Sequence, residues 1–107
     1  MNDRRQRLAA LLADDPQDVF LRYSLALEQQ KFGEHEASLS GLRLLVVEDP
    51  PYVPAYLMLG QQLAALARFA EAREILRNGI DAARRANNSH AAGEMAELLV
   101  RLGECSE

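Results

Sequence analysis

The sequence predicts an all-α fold of about six helices, organised around an internal repeat of 34 residues. The dipeptide Asp-Pro at 15–16 recurs at 49–50, and the same offset takes Leu8 to Leu42 and then to Leu76. Aromatic residues make up only 6% of the chain and alanine is abundant, a balance that favours helix over sheet. A chain of 107 residues is typical of one domain, so the repeat is expected to fill a single folded unit.

The first two helices are predicted before residue 33. The segment 4–13 matches the second helix of each repeat, so the chain is expected to begin half-way through a repeat. A stripe of apolar residues at helical spacing predicts the next helix, from Asp18 to about Lys31. Gly33 follows it, and glycine is common just past a helix end because it tolerates left-handed backbone angles.

Prolines bound the middle helices. A second apolar stripe over 39–46 predicts a helix that stops before Pro50 and Pro51, because proline lacks the N–H that a continuing helix needs. Pro54 lies where the next helix is predicted to begin, a position that proline favours. A further helix is predicted over about 69–86.

A last helix is predicted from about Ser89 to Leu102, capped by a side-chain oxygen of Asn88 or Ser89 and ended by Gly103. Beyond it we expect a frayed tail in which Cys105, the only cysteine, is an incidental thiol. The predicted division of the chain is a half-repeat helix (4–16), two repeats (17–50 and 51–86), a capping helix (88–103) and a tail (104–107).

Large and small residues follow a fixed order in the second repeat: Tyr56, Leu59, Gly60, Leu63, Ala72 and Leu76. This order resembles the tetratricopeptide repeat, a helix–turn–helix unit of 34 residues with the pattern W-x₂-L-G-x₂-Y…A-x₃-F…P. Arg84 stands in place of the final proline, so we expect this helix to run one or two turns past the usual end. In the first repeat Arg22 takes the place of the large aromatic residue, and we expect Tyr23 to supply the missing bulk.

The resemblance covers nearly the whole chain and implies a right-handed α-α superhelix of stacked hairpins. In such hairpins small residues let neighbouring helices approach closely. We therefore expect Gly60 and Ala72 to face large residues across a helix seam, and we expect the same spacing role for Ala67.

The resemblance also implies a function, the binding of another protein. The chain would be an adaptor or assembly factor that holds a peptide segment or an amphipathic helix on its concave face. The residues expected on that face are Phe20, Tyr23, Leu27, Gln30, Pro54, Leu57, Gln61, Ala64 and Glu97. They are more apolar than polar, and they lack the Lys, Arg and Asn with which similar domains hold a C-terminal carboxylate. The same apolar residues could instead only cover the edge of the core, and the sequence leaves both interpretations open.

Self-association is the second candidate function, because an array of two full repeats is short and a second copy could cover its ends. The face of the last helix that is expected to point outwards carries His90, Glu94, Glu97 and Arg101. This polar face favours a monomer, although a homodimer is the alternative.

Other classes of function find little support. A net charge of −4 argues against a nucleic-acid ligand, which needs a basic face. No apolar run approaches the length of a membrane span, and a cytoplasmic location is the default expectation. Two histidines and one cysteine are too few for a metal centre, and we expect neither a cofactor nor enzymatic activity. His35 is expected to be a partly buried spacer, and His90 a solvated or capping residue.

Overall fold

The computed structural model describes residues 3–103, and within that range the chain forms six α-helices and no strand. The helices are α1 (Asp3–Asp14), α2 (Val19–Lys31), α3 (His35–Val46), α4 (Val53–Ala65), α5 (Phe69–Arg85) and α6 (Ser89–Leu102). Each helix packs against the next, and α4 also packs against α6, so α4 lies at the centre of the array. The all-α prediction is confirmed. The division into half-repeats and repeats stays a prediction, and the expected tail with Cys105 lies outside the described residues.

Short polar side chains begin two of the helices. Asp18 precedes α2, and its Oδ1 accepts a hydrogen bond from the backbone N–H of Leu21 at 3.0 Å. Asn88 precedes α6 in the same way, accepting from the N–H of Ala91 at 3.1 Å. Each cap satisfies an N–H group that a helix start leaves without an intrahelical acceptor. Of the two capping residues considered for α6, Asn88 is therefore the one used.

The turns after α2 and α4 share one backbone geometry. Gly33 has a φ of 82°, and Ala67, one repeat length later, has a φ of 60°. In both turns the next residue, Glu34 or Arg68, donates its N–H at 2.8 Å to a carbonyl five residues earlier. Ala67 is exposed. The expectation that it spaces two packed helices is thus wrong, because the residue forms the turn.

Two glycines lie at places where helices approach closely. A Cβ atom added to Gly60 would lie 2.6 Å from Cδ2 of Leu76, and one added to Gly79 would lie 2.5 Å from Sδ of Met95. Side chains cannot pack at those distances, so only glycine fits here without a shift of the neighbouring side chain. The expected close approach at Gly60 is confirmed, and Ala72 is fully buried as expected of the seam.

The fifth helix is longer than its counterpart in the first repeat. α5 has 17 residues and α3 has 12, which confirms the predicted extension past the usual end. Near the start of α5, the Arg73 guanidinium donates to the carbonyl of Leu102 at 3.1 Å. This hydrogen bond holds the end of α6 against α5.

Candidate functional site

Three helices enclose a groove that opens to solvent. Its volume is about 210 Å³, and it is lined by Tyr23 of α2, by Val53, Pro54 and Leu57 of α4, and by Asn88, His90, Ala91 and Glu94 at the start of α6. We call this feature the central groove. Its α2 and α4 side is apolar apart from the Tyr23 hydroxyl, and its α6 side is polar.

The Tyr23 side of the central groove is held by a second aromatic ring. The rings of Tyr23 and Tyr52 lie 5.4 Å apart between centroids and are tilted by 57°. Tyr52 immediately precedes α4, so this contact joins α2 to the start of α4. Burial raises the pKa of the Tyr23 hydroxyl, with a further contribution from Tyr52, and burial also raises the pKa of Tyr52. Both hydroxyls therefore stay neutral well above physiological pH.

The polar side of the central groove comes from the first two turns of α6. Nε2 of His90 lies 3.4 Å from Oε1 of Glu94, one helical turn away. A second, shallower depression of about 480 Å³ shares these two residues and is bounded also by Ser89, Gly93 and Glu97. Among the residues that line the two hollows there is no Lys or Arg. The α6 side of the groove is thus an acidic rim, which we define as Glu94 and Glu97.

The structure brings some of the nine predicted residues together and separates others. Tyr23, Pro54 and Leu57 line the central groove, and Glu97 borders the adjoining depression. The remaining five, Phe20, Leu27, Gln30, Gln61 and Ala64, line neither hollow. Phe20 is 62% exposed, and Gln61 is also exposed, whereas the other three are half-buried. A role for any of the nine in binding stays a prediction.

Five residues of the central groove were not expected there: Val53, Asn88, His90, Ala91 and Glu94. His90 and Glu94 were assigned to an outward face of the last helix, and they are indeed exposed, but they face the groove. The spacing of positions 90, 94 and 97 is the signal that could have found them. Residues three and four apart lie on one side of a helix, so they share the side of Glu97.

A separate cavity of about 270 Å³ lies where the loop after α3 meets the end of α5. It is lined by Asp49, Pro50, Pro51, Val53, Ala82, Arg85 and Ala86. Only Val53 is shared with the central groove, and none of the nine predicted residues lies in it.

Side chains that could bind a metal ion are not grouped together in the part of the chain that the structure describes. Residues 3–103 contain no group of three or more His, Cys, Asp or Glu that could hold a metal ion. His35, expected to be partly buried, is exposed at the first position of α3, so that expectation is wrong. Of the helices within 3–103, none has the length and apolar character that crossing a membrane requires.

Solved structures of other proteins are similar to this chain. A tetratricopeptide repeat domain protein from Salinibacter ruber, known from a solution structure, is 31% identical, with 87% of this chain and 95% of that chain covered and a TM-score of 0.81. A tetratricopeptide repeat domain protein from the same organism, known from a crystal structure, is 29% identical, with 84% of this chain and 100% of that chain covered and a TM-score of 0.77. The solution structure of a Bordetella parapertussis protein is 29% identical, with coverages of 96% and 90% and a TM-score of 0.80. No protein-family model matches the chain, and no curated protein matches it either.

Proposed function

The chain belongs to the tetratricopeptide repeat family, and from this membership we propose that it is a non-catalytic protein-interaction module. It would act as an adaptor or assembly factor that binds a segment of another protein in the central groove. The observation that carries the proposal is the groove itself, where Tyr23, Pro54 and Leu57 from two helices present an apolar surface to solvent. A cytoplasmic location forms part of the same proposal.

The dimensions of the central groove favour a side chain of a larger partner over a free small molecule. Its volume of about 210 Å³ is below the roughly 300–1,000 Å³ of pockets that enclose drug-sized ligands. An apolar side chain projecting from a peptide segment needs only such a notch as an anchor. The half-buried Leu27 and Ala64 and the exposed Gln61 would extend the contact along α2 and α4.

The lining is suited to an anchor because its side chains are already partly ordered. Tyr23 is held against Tyr52, and Leu57 packs against the core, so little freedom is left for binding to remove. Pro54 adds an apolar ring on the first turn of α4. A preformed surface of this kind keeps the entropic cost of association low.

The proposal is tested by placing a charge in the groove. We expect Leu57→Glu to abolish the specific capture of a partner from native lysate, because a carboxylate would be buried against an apolar anchor. Leu44→Glu is the matched control, since Leu44 is 59% exposed on α3 and does not line the groove. Circular dichroism and thermal melting would verify that each variant is folded.

A second variant keeps the test usable if Leu57→Glu does not fold. Pro54 is exposed in the first turn of α4, where an acidic residue favours the helix, so Pro54→Glu should remain folded. Capture at wild-type strength by the folded Pro54→Glu and Leu57→Glu proteins would move the binding surface elsewhere.

Self-association is a second candidate function, and large apolar side chains that are exposed outside the central groove would form its contacts. Leu11, Leu44, Val47 and Val100 are each more than half exposed. A second copy of the chain could cover them, in which case the protein would be a homo-oligomeric scaffold without a separate peptide ligand.

A further inference from the structure

The acidic rim of the central groove has no arginine or lysine partner within the described chain. Residues 3–103 contain eight glutamates, and five of them, Glu28, Glu34, Glu36, Glu48 and Glu71, pair with arginines. Glu94 contacts only the His90 imidazole among ion-pairing groups, and Glu97 forms no ion pair in this range. The third glutamate without an arginine partner is Glu74, which belongs to α5 and lines neither the groove nor the adjoining depression.

Two of the three glutamates without an arginine partner thus lie on α6, whereas the aspartates within 3–103 form no ion pair wherever they lie. Arginines neutralise most glutamates elsewhere on the array, whereas the side of α6 that faces the groove keeps two negative charges in solvent. Arg101, one turn beyond Glu97, is the nearest basic residue along α6; it lies outside both hollows but lines a third one, of about 340 Å³, together with Glu97 and Val100. Glu94, in the first half of α6, lines the same groove as the apolar residues of α4, and Glu97 follows in the second half of the helix.

We infer that the central groove selects a peptide segment of another protein in which an apolar anchor residue is flanked by Lys or Arg. The anchor would pack on Tyr23, Pro54 and Leu57, and the flanking cation would lie against Glu94 and Glu97. Complementary charge speeds association and rejects acidic competitors, and the net charge of −4 acts in the same direction at longer range. This inference rests on the proposed function, since it names the partner chemistry of the same groove.

The test uses synthetic peptides that share one apolar stripe and differ only in their flanking residues, which are Lys, Gln or Glu. Binding to the full chain would be measured by fluorescence anisotropy at low and high salt. We expect the Lys peptide to bind most tightly and the Glu peptide least, with the difference shrinking as salt is raised. The double variant Glu94→Gln, Glu97→Gln should weaken binding of the Lys peptide about three- to tenfold and leave the Gln peptide unchanged.

Glu74→Gln is the matched control, because it removes one exposed, unpaired carboxylate outside the groove and should leave every Kd unchanged. Equal affinity of the Lys and Glu peptides, or an equal loss in the Glu74→Gln protein, would overturn the charge inference. If the charge inference fails in this way but Leu57→Ala still weakens the binding of all peptides alike, the proposed function stands. If no peptide is bound, or if Leu57→Ala changes nothing, the groove is not a peptide site and both proposals fail.

Discussion

At the scale of single residues, Ala67 is held in a conformation that costs stability. Its φ of 60° lies in the left-handed region, which disfavours a residue with a Cβ atom by roughly 1–2 kcal/mol. We expect Ala67→Gly to raise the free energy of unfolding by about 0.5–1 kcal/mol, because relief of this strain exceeds the entropy that glycine adds to the unfolded chain. Urea denaturation measures the change.

Gly33 provides the matched control for this prediction. It has the same turn geometry, and a Cβ atom added there would meet no atom within 4 Å. Any change in stability on substitution therefore comes from the backbone conformation alone. Gly33→Ala should therefore lower the free energy of unfolding by a similar amount. A loss of stability in Ala67→Gly would show that the alanine side chain has a contact worth more than the strain.

The same residue shows what could be predicted from the sequence and what could not. Gly33 was identified as a turn because glycine at a helix end has one common explanation. Ala67 stands one repeat length later, but a small residue between Leu63 and Phe69 also suits a packing seam. The two roles require different backbone angles. An alanine in the sequence, unlike a glycine, does not indicate that its φ is positive.

At the scale of helices, the junctions between consecutive repeats carry polar contacts at equivalent positions. Between α1 and α2, Nε of Arg4 lies 2.8 Å from Oε1 of the buried Glu28. One repeat length later, between α3 and α4, Nε2 of Gln62 donates to Oγ of Ser38 at 3.1 Å. The next equivalent positions, 72 and 96, are both alanine, so the junction changes along the chain from charged to neutral to apolar.

The Ser38–Gln62 contact is buried, and we expect it to contribute to the stability of the fold. Oγ of Ser38 also donates to the carbonyl of Ala26 at 2.6 Å, while Oε1 of Gln62 is buried without a hydrogen-bond partner. Ser38→Ala should lower the free energy of unfolding by about 1–3 kcal/mol, because it leaves the Gln62 amide N–H unsatisfied in the core. Thermal and urea unfolding would measure this loss.

The double variant tests the cause of that loss. Adding Gln62→Met to Ser38→Ala should recover most of the stability, since both polar groups are then replaced and the third junction is already apolar. If the two substitutions instead lower stability additively, the contact between these side chains is not the source of the effect.

The helices themselves were predicted more completely than the groove between them. Asp18, Gly33 and Pro54 act locally, so the ends near them could be predicted from short stretches of sequence. The groove depends on where α6 lies against α4, which is a relation between segments far apart in the chain. The spacing of Glu94 and Glu97 predicts that they share a helix face, but only the packing shows which neighbour that face meets.

The exposed apolar side chains are spread over the surface of the protein. The six large ones in the described chain, Leu11, Phe20, Phe32, Leu44, Val47 and Val100, come from α1, α2, α3, α6 and the residues that follow α2 and α3. Isolated apolar residues of this kind are normal on monomeric proteins. A stable homodimer would have to cover about 1,200–2,000 Å² in a continuous interface.

We therefore expect the protein to be a monomer at micromolar concentration. Leu44 and Val47 are the closest pair along the chain, at the end of α3, and they alone are too small a patch to hold two copies together. Light scattering coupled to size-exclusion chromatography gives the mass directly, and Leu44→Glu should leave it unchanged. A dimer in the wild type that Leu44→Glu dissociates would contradict this expectation and favour the self-associating scaffold. A dimer that Leu57→Glu dissociates would instead mean that a second copy occupies the central groove.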